Sequence, residues 1–168
     1  SHMPNIAYSA SQKKKRINSL IGVLCFFLVL LVDRISKSFI SSKLSAGQSI
    51  PIIKNILHVT FVKNTGAAFG LFKNSTYFFI AVSIIAVVMI AAILIRVIRN
   101  GKFSENFPCN LGLVLIMSGA MGNLIDRVSL QYVIDFIDLR VWPVFNIADS
   151  SITIGTALLI ISFAKKTA

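Results

Sequence analysis

The sequence predicts an α-helical membrane protein with four transmembrane helices, and three observations lead to this. First, 55% of the residues are hydrophobic and the mean hydropathy is +0.80, which is too apolar for a soluble domain. Second, four apolar runs come close to the roughly 20 residues that cross a bilayer; they cover about residues 17–40, 76–95, 107–125 and 149–164. Third, basic residues flank these runs, as expected beside anionic headgroups.

Composition argues against several other classes of protein. Residues 1–3 are interpreted as a tag remnant, residues 4–16 as a basic cytoplasmic N-terminus, and residues 17–166 as one four-span domain. The net charge of +11 is explained by the membrane flanks, because no nucleic-acid recognition module is visible. The two cysteines stand apart and one histidine remains beyond the tag, so neither a disulfide framework nor a zinc site is predicted. No metal or cofactor is expected.

The first apolar run follows the basic cluster at residues 13–16, as in a signal peptide. It is long, lacks a small-residue cleavage site and precedes three more runs, so we predict a transmembrane helix. Asp33 and Lys37 are spaced i,i+4 on this helix and can form an ion pair. That pair has two interpretations: it snorkels at the helix end, or it shapes a site.

A polar excursion at residues 41–75 follows the first span. Alternation over residues 57–62 predicts a strand, and Gly47 and Pro51 are expected to mark turns. Asn64 and Gly66 suit a further turn, and the Ala and Phe residues after them predict a short helix in the membrane interface.

The second and third spans differ in what they carry. Residues 76–95 hold no charged side chain and predict a helix that only packs. One face of the third span carries small and polar side chains at helical spacing, namely Gly112, Gly119, Asn123 and Asp126. Small residues there allow another helix to approach closely, and the polar end of the face is a candidate site.

The segment between the third and fourth spans alternates over residues 133–141, which predicts a strand. Trp142 suits the aromatic belt of the interface, and Pro143 ends the strand. Asp149 then opens the fourth span on a polar face of the helix.

The topology follows from the even number of spans, which puts both termini on one side of the membrane. The bare count of Lys and Arg, nine on the side of the termini and eight on the other, barely separates the two sides. The cluster at residues 13–16 directly abuts the first span and places the termini in the cytoplasm. All five aspartates therefore lie toward the outer face.

Four of the six acidic residues fall within residues 119–149, namely Asp126, Asp135, Asp138 and Asp149. An ionisable group beside hydrocarbon is a functional-site hypothesis by default. Two neighbouring carboxylates share one proton, so one can deprotonate a water while the other polarises a peptide carbonyl. This chemistry needs no metal, thiol or histidine. We assign Asp149 to this pair because the N-terminus of a helix stabilises its carboxylate anion. Physical reasoning leaves the second member of the pair open among the other three aspartates.

Three alternatives compete with a peptidase. A small ion- or proton-coupled transporter also uses intramembrane charges, but it predicts charges at mid-bilayer and an inverted repeat. A non-catalytic membrane subunit would not need five polar motifs in a fixed order. A Ser/Lys peptidase requires Ser36 to face Lys37, and neighbours on a helix do not face each other.

Five motifs between the spans carry a resemblance to a known family. They are Asp33-x-x-x-Lys37, Asn64-Thr-Gly66-Ala-Ala-Phe, Gly119-Ala-x-Gly-Asn123-x-x-Asp126-Arg127, Val133-x-Asp135-Phe and Phe145-Asn146-x-Ala-Asp149. In this order they resemble the lipoprotein signal peptidase family, also called signal peptidase II, over about residues 20–164. The chain differs from the family pattern at Arg34, where Gln often stands, and in a shorter stretch between Asp135 and Asp149.

The resemblance implies an aspartic endopeptidase of the bacterial inner membrane that cleaves a prolipoprotein before its diacylglyceryl-modified cysteine. Its catalytic pair corresponds to Asp135 and Asp149. The supporting and substrate-binding positions correspond to Asn64, Gly66, Asn123, Asp126, Arg127, Asn146, Asp33 and Lys37. It also implies a small extracytoplasmic β-cradle with a short interfacial helix. The partners expected are the prolipoprotein and the lipid bilayer, with the chain acting as a monomer.

Overall fold

The structure is a computed structural model that describes residues 3–66 and 76–167. Within these ranges four helices and three strands follow one another as α1 (Met3–Lys43), β1 (Ser49–Ile53), β2 (Leu57–Asn64), α2 (Thr76–Arg99), α3 (Phe107–Leu130), β3 (Val133–Asp138) and α4 (Ile147–Thr167). All four helices are long and apolar enough to cross a membrane, so the predicted fold class is confirmed. The interfacial helix expected after Gly66 falls in residues 67–75, outside the described residues.

The bundle is organised around α3, which packs against each of the other three helices and most extensively against α4. Gly112 and Gly155 permit the close approach, because a Cβ on Gly112 would lie 2.7 Å from the carbonyl oxygen of Gly155. A Cβ on Gly119 would likewise overlap the carbonyl oxygen of Ala148. The small-residue face predicted for the third span is therefore the face that receives α4.

The three strands form an antiparallel sheet in the order β1-β2-β3. The strand predicted at residues 57–62 is confirmed as part of β2. The turn expected at Pro51 is wrong, because Pro51 pairs with His58 inside β1. Proline has no backbone N–H to donate, and an edge strand tolerates this because its outer side has no neighbouring strand. The register shifts between Pro51 and Ile53. Gly47 does occupy a turn, with φ of 87°.

The last strand is shorter than its alternation predicts, since β3 ends at Asp138 rather than at Val141. The cause is local: Asp138 Oδ1 accepts a hydrogen bond from the backbone N–H of Arg140 at 2.8 Å, and Arg140 adopts φ of 66°. A side chain that bonds its own backbone two residues on turns the chain away from the sheet.

The sheet sits on the end of α1 through one small apolar core. Ile40 and Leu44 of α1 pack with Phe61 of β2 and with Ile134 and Phe136 of β3. This core fixes β3 between the ends of α1 and α3, and so places the alternate, polar residues of β3 beside the start of α4.

Candidate active site

Asn146 and Asp149 set the start of α4. The Asn146 side-chain oxygen accepts a hydrogen bond from the backbone N–H of Asp149 at 2.9 Å, and the backbone N–H of Asn146 donates to Asp149 Oδ2 at 3.1 Å. This reciprocal pair is a capping box, in which two backbone donors left unpaired by the helix start are satisfied. The Asp149 carboxylate is therefore held in one orientation by the helix that begins there.

The same asparagine reaches the second carboxylate. Asn146 Nδ2 donates to Asp135 Oδ1 at 2.7 Å and also lies 3.0 Å from Asn123 Oδ1. The other oxygen of Asp135 accepts from Asn64 Nδ2 at 2.9 Å. Asp135 and Asp149 thus share one residue, Asn146, as a common hydrogen-bond donor.

Asp135 is buried, with 2% of its surface exposed, and its charge is unfavourable there. Burial first, and the neighbouring Asp149 second, raise the pKa of Asp135 from 3.8 to about 7, against hydrogen bonds from Asn64 and Asn146 and the charge of Lys37. A carboxyl group with this pKa is protonated in about half of the molecules at neutral pH. The site therefore holds two neighbouring carboxyl groups, one of which carries a proton in a large fraction of the molecules, and acid-base hydrolysis can use such a pair.

Asn64 owes its orientation to the turn that follows it. The backbone N–H of Gly66 donates to Asn64 Oδ1 at 3.0 Å, so the amide nitrogen of Asn64 is left to face Asp135. The predicted turn at these residues is present, and Gly66 contributes through its backbone.

Asn123 connects the pair to α1. Its Nδ2 donates to Asp149 Oδ1 at 2.8 Å, and its Oδ1 accepts from Lys37 Nζ at 2.9 Å. Lys37 also forms the predicted ion pair with Asp33, at 2.9 Å. Only 1% of Lys37 is exposed, which is incompatible with a side chain that snorkels at the helix end and favours the interpretation that the pair shapes the site.

Asp126 belongs to this ionic cluster. Its oxygens lie 2.6 Å from Arg34 Nη2 and 2.9 Å from Lys37 Nζ, and one of them accepts the backbone N–H of Ile134 at 3.2 Å. Arg34 Nη2 also contacts Asp33 at 3.1 Å. Two cations of α1 thus neutralise Asp126 and Asp33. Because Asp126 is occupied by cations, it is a poor candidate for sharing a proton with Asp149.

Two further candidates from the sequence, Asp138 and Arg127, make other contacts. Asp138 accepts a hydrogen bond from Thr60 Oγ1 of β2 at 2.7 Å and forms an ion pair with Arg140 at 3.0 Å. Its carboxylate therefore stabilises the end of the sheet. Arg127 is half-buried, stacks its guanidinium 5.2 Å from the centroid of the Phe79 ring, and interacts electrostatically with Asp149 and Asp135.

Arg34 and Ser36 of α1 make different kinds of contact. Arg34, which departs from the family pattern, forms ion pairs with two buried aspartates. A cation inside an otherwise apolar run is the sequence signal for this role. Ser36 Oγ donates to the carbonyl of Asp33 at 3.0 Å, while Lys37 faces acids, so the two do not form a Ser/Lys pair. Among residues 3–66 and 76–167, no cluster of three or more His, Cys, Asp or Glu could hold a metal ion.

Fold and site together define a multi-span membrane enzyme with a carboxyl pair at the rim of its bundle. Two solved structures of bacterial membrane enzymes agree with this class. One superposes with a TM-score of 0.80 at 34% identity, covering 88% of this chain and 90% of that chain. The other has a TM-score of 0.70 at 34% identity, covering 85% of this chain and 92% of that chain.

The family follows from sequence comparison. The profile described as signal peptidase (SPase) II matches residues 25–165. A lipoprotein signal peptidase of Halothermothrix orenii is 41% identical over 80% of this chain and 88% of that protein, and one of Clostridioides difficile is 42% identical over 84% and 93%. The chain belongs to the signal peptidase II family. The resemblance found in the sequence is confirmed, and the transporter alternative is not favoured.

Proposed function

We propose that this chain is a metal-independent aspartic endopeptidase that removes the signal peptide of prolipoproteins on the N-terminal side of the diacylglyceryl-modified cysteine. The relatives that carry the name lipoprotein signal peptidase support the substrate class. The observation that carries the catalytic proposal is the pair of contacts from Asn146, which donates through its side chain to Asp135 and through its backbone to Asp149.

In the proposed mechanism Asp135 is the acid and Asp149 is the base. Asp149, held by the N-terminus of α4 and by Asn123, accepts a proton from a water as that water attacks the scissile carbonyl. Asp135, whose pKa is about 7, acts in its protonated form: it polarises the carbonyl oxygen and later protonates the leaving amine. The two carboxyl groups titrate as a coupled pair.

The remaining site residues position this pair. Asn64, Asn123 and Asn146 orient the carboxyl groups through their amides, while Arg127 and Gly66 supply a cation and a backbone turn next to the substrate. Three buried charges, Asp33, Lys37 and Asp126, brace α1 against α3.

The proposed topology places both termini in the cytoplasm and the carboxyl pair at the outer face of the inner membrane. The lipid tails of the substrate then stay in the bilayer while the scissile bond reaches the site at headgroup depth. We further propose that one chain carries the complete site, so that the monomer is active.

The test is cleavage of a purified diacylglyceryl prolipoprotein by protein reconstituted in phospholipid. D135N and D149N should each lower kcat by about a hundredfold to ten-thousandfold, the usual share of acid-base catalysis, and wild-type activity should persist in EDTA. D138N is the matched control, because its carboxylate contacts Thr60 and Arg140, and it should retain activity. A D149N protein that is folded and cleaves near the wild-type rate would contradict the proposal.

A further inference from the structure

An apolar cleft of about 210 Å³ opens between α1 and α2, at the end of the bundle away from the carboxyl pair. One face of α1 over residues 19–27 and one face of α2 over residues 91–98 form its walls. Val114 and Met117 of α3, with Phe103 of the loop before it, form its floor. The carboxyl pair does not use this cleft.

The floor of the cleft is fixed in place. Phe103 is 3% exposed, its carbonyl accepts from Asn110 Nδ2 at 2.9 Å, and the neighbouring Ser104 is tied to Asn18 of α1 by a 2.7 Å hydrogen bond. Its ring fits against Gly22, where a Cβ would lie 2.6 Å from Phe103 Cζ. The cleft is therefore preformed and does not require a ligand to open it.

The walls, in contrast, are exposed on the outside of the bundle. Phe27 of α1 is 60% exposed and Ile95 of α2 is 51% exposed. At 1.5 Å per residue, the lining face of α1 runs for about 12 Å along the helix axis, which is close to the roughly 15 Å of one hydrocarbon leaflet. The dimensions suit a hydrocarbon chain lying parallel to the helices.

Two lysines lie next to lining residues of the cleft, one by helical spacing and one by sequence. Lys15 lies two helical turns before Gly22 on the same face of α1, and it is half-buried where its neighbours Lys14 and Arg16 are exposed. Lys102, which is exposed, immediately precedes the lining residue Phe103 in the sequence. This end of the bundle carries one acidic residue, Glu105, against a large excess of Lys and Arg.

We propose that the cleft binds an anionic phospholipid of the surrounding leaflet, with one acyl chain against Phe103 and the phosphate between Lys15 and Lys102. Basic pockets between membrane helices are suited to such headgroups. A substrate signal helix is the competing occupant, but its N-terminal region is positively charged and would be repelled by these lysines. The proposal does not depend on the catalytic assignment.

Native mass spectrometry of the full-length protein in neutral detergent tests this, with dioleoyl phosphatidylglycerol and dioleoyl phosphatidylcholine titrated separately. Wild-type protein should retain one phosphatidylglycerol at least about tenfold more tightly than phosphatidylcholine, because each nearby basic residue contributes about a fivefold preference. The double variant K15Q/K102Q should lose most of that preference. The control K13Q/K165Q removes the same charge, but Lys13 lies on the opposite face of α1 from Gly22 and Lys165 lies on α4; it should behave like wild type.

A second variant tests the apolar part of the cleft without changing charge. A91F places a ring in the space between the two walls and should abolish retention of both lipids, with folding checked by thermal unfolding. Equal phosphatidylglycerol preference in wild type and K15Q/K102Q would overturn the proposal, as would retention of both lipids by folded A91F. A raised KM for prolipoprotein in A91F, with unchanged lipid retention, would assign the cleft to the substrate instead.

Discussion

Asn146 and Asp149 cap each other at the first turn of α4, with hydrogen bonds of 2.9 and 3.1 Å between side chain and backbone in both directions. The capping box orients a carboxylate, and the spare amide of the same Asn146 reaches Asp135 at 2.7 Å. One residue therefore stabilises a helix start and holds two acids together. These two roles can be separated by mutation.

Asn146→Ser retains a capping oxygen but is too short to reach Asp135, whereas Asn146→Ala loses both interactions. Both variants lose the buried hydrogen bonds of the Asn146 amide nitrogen and should be less stable than wild type, and we expect N146A to lose about 1 kcal/mol more than N146S, since an N-cap contributes about that much. Both variants should lower kcat strongly. Thermal unfolding and prolipoprotein cleavage on the same preparations measure the two effects. An N146S protein with wild-type kcat would show that the contact with Asp135 is dispensable.

The pH dependence of cleavage reports on Asp135. Because the proposed acid must be protonated and its pKa is about 7, kcat/KM should fall tenfold per pH unit above about pH 7. The hydrogen bond from Asn64 lowers the pKa of Asp135, so N64A should move this alkaline limb to higher pH. Profiles from pH 5 to 9 at constant ionic strength measure the limb independently of the absolute rate. An alkaline limb that stays in place in N64A contradicts the assignment of Asp135 as the acid.

Much of this site followed from residue types and spacing, and the rest depended on the third dimension. Periodicity was sufficient to place the spans and two strands, and i,i+4 spacing was sufficient to pair Asp33 with Lys37. Residue spacing alone left Asp126, Asp135 and Asp138 open as the partner of Asp149, and Asp135 was assigned only through the family resemblance. Arg34 and Lys37 on α1 neutralise Asp126 on α3, and Thr60 on β2 reaches Asp138. No local pattern encodes such contacts between distant segments. The turn predicted at Pro51 was wrong for a related reason: only the order of the strands in the sheet shows that β1 is an edge strand, where a proline is tolerated.

The buried charge cluster of α1 and α3 should be costly to break. Lys37→Met leaves Asp33 and Asp126 with Arg34 alone, and removing one partner of a buried ion pair typically costs about 3–5 kcal/mol. We expect K37M to lower thermal stability sharply and D33N/K37M to recover part of the loss, since the second change removes an uncompensated charge. Arg34→Gln should cost less, because Arg34 is partly exposed and Lys37 remains. Unfolding midpoints in one detergent compare the three variants; K37M equal to wild type would mean that the cluster does not brace the helices.

The close approach of α3 and α4 should set the geometry of the carboxyl pair. Gly112→Ala places a Cβ 2.7 Å from the backbone oxygen of Gly155, and backbone at that distance cannot yield without the helices moving apart. We expect G112A to lower both thermal stability and kcat, because α4 carries Asp149 while α3 carries its partner Asn123.

The control is Ala157→Val, which adds bulk to α4 at an exposed position and should leave both quantities near wild type. A G112A protein with reduced stability but unchanged kcat would show that the carboxyl pair tolerates a shift between α3 and α4. In that case the contacts made by Asn146, which joins β3 to α4, would be sufficient to hold the two acids in register.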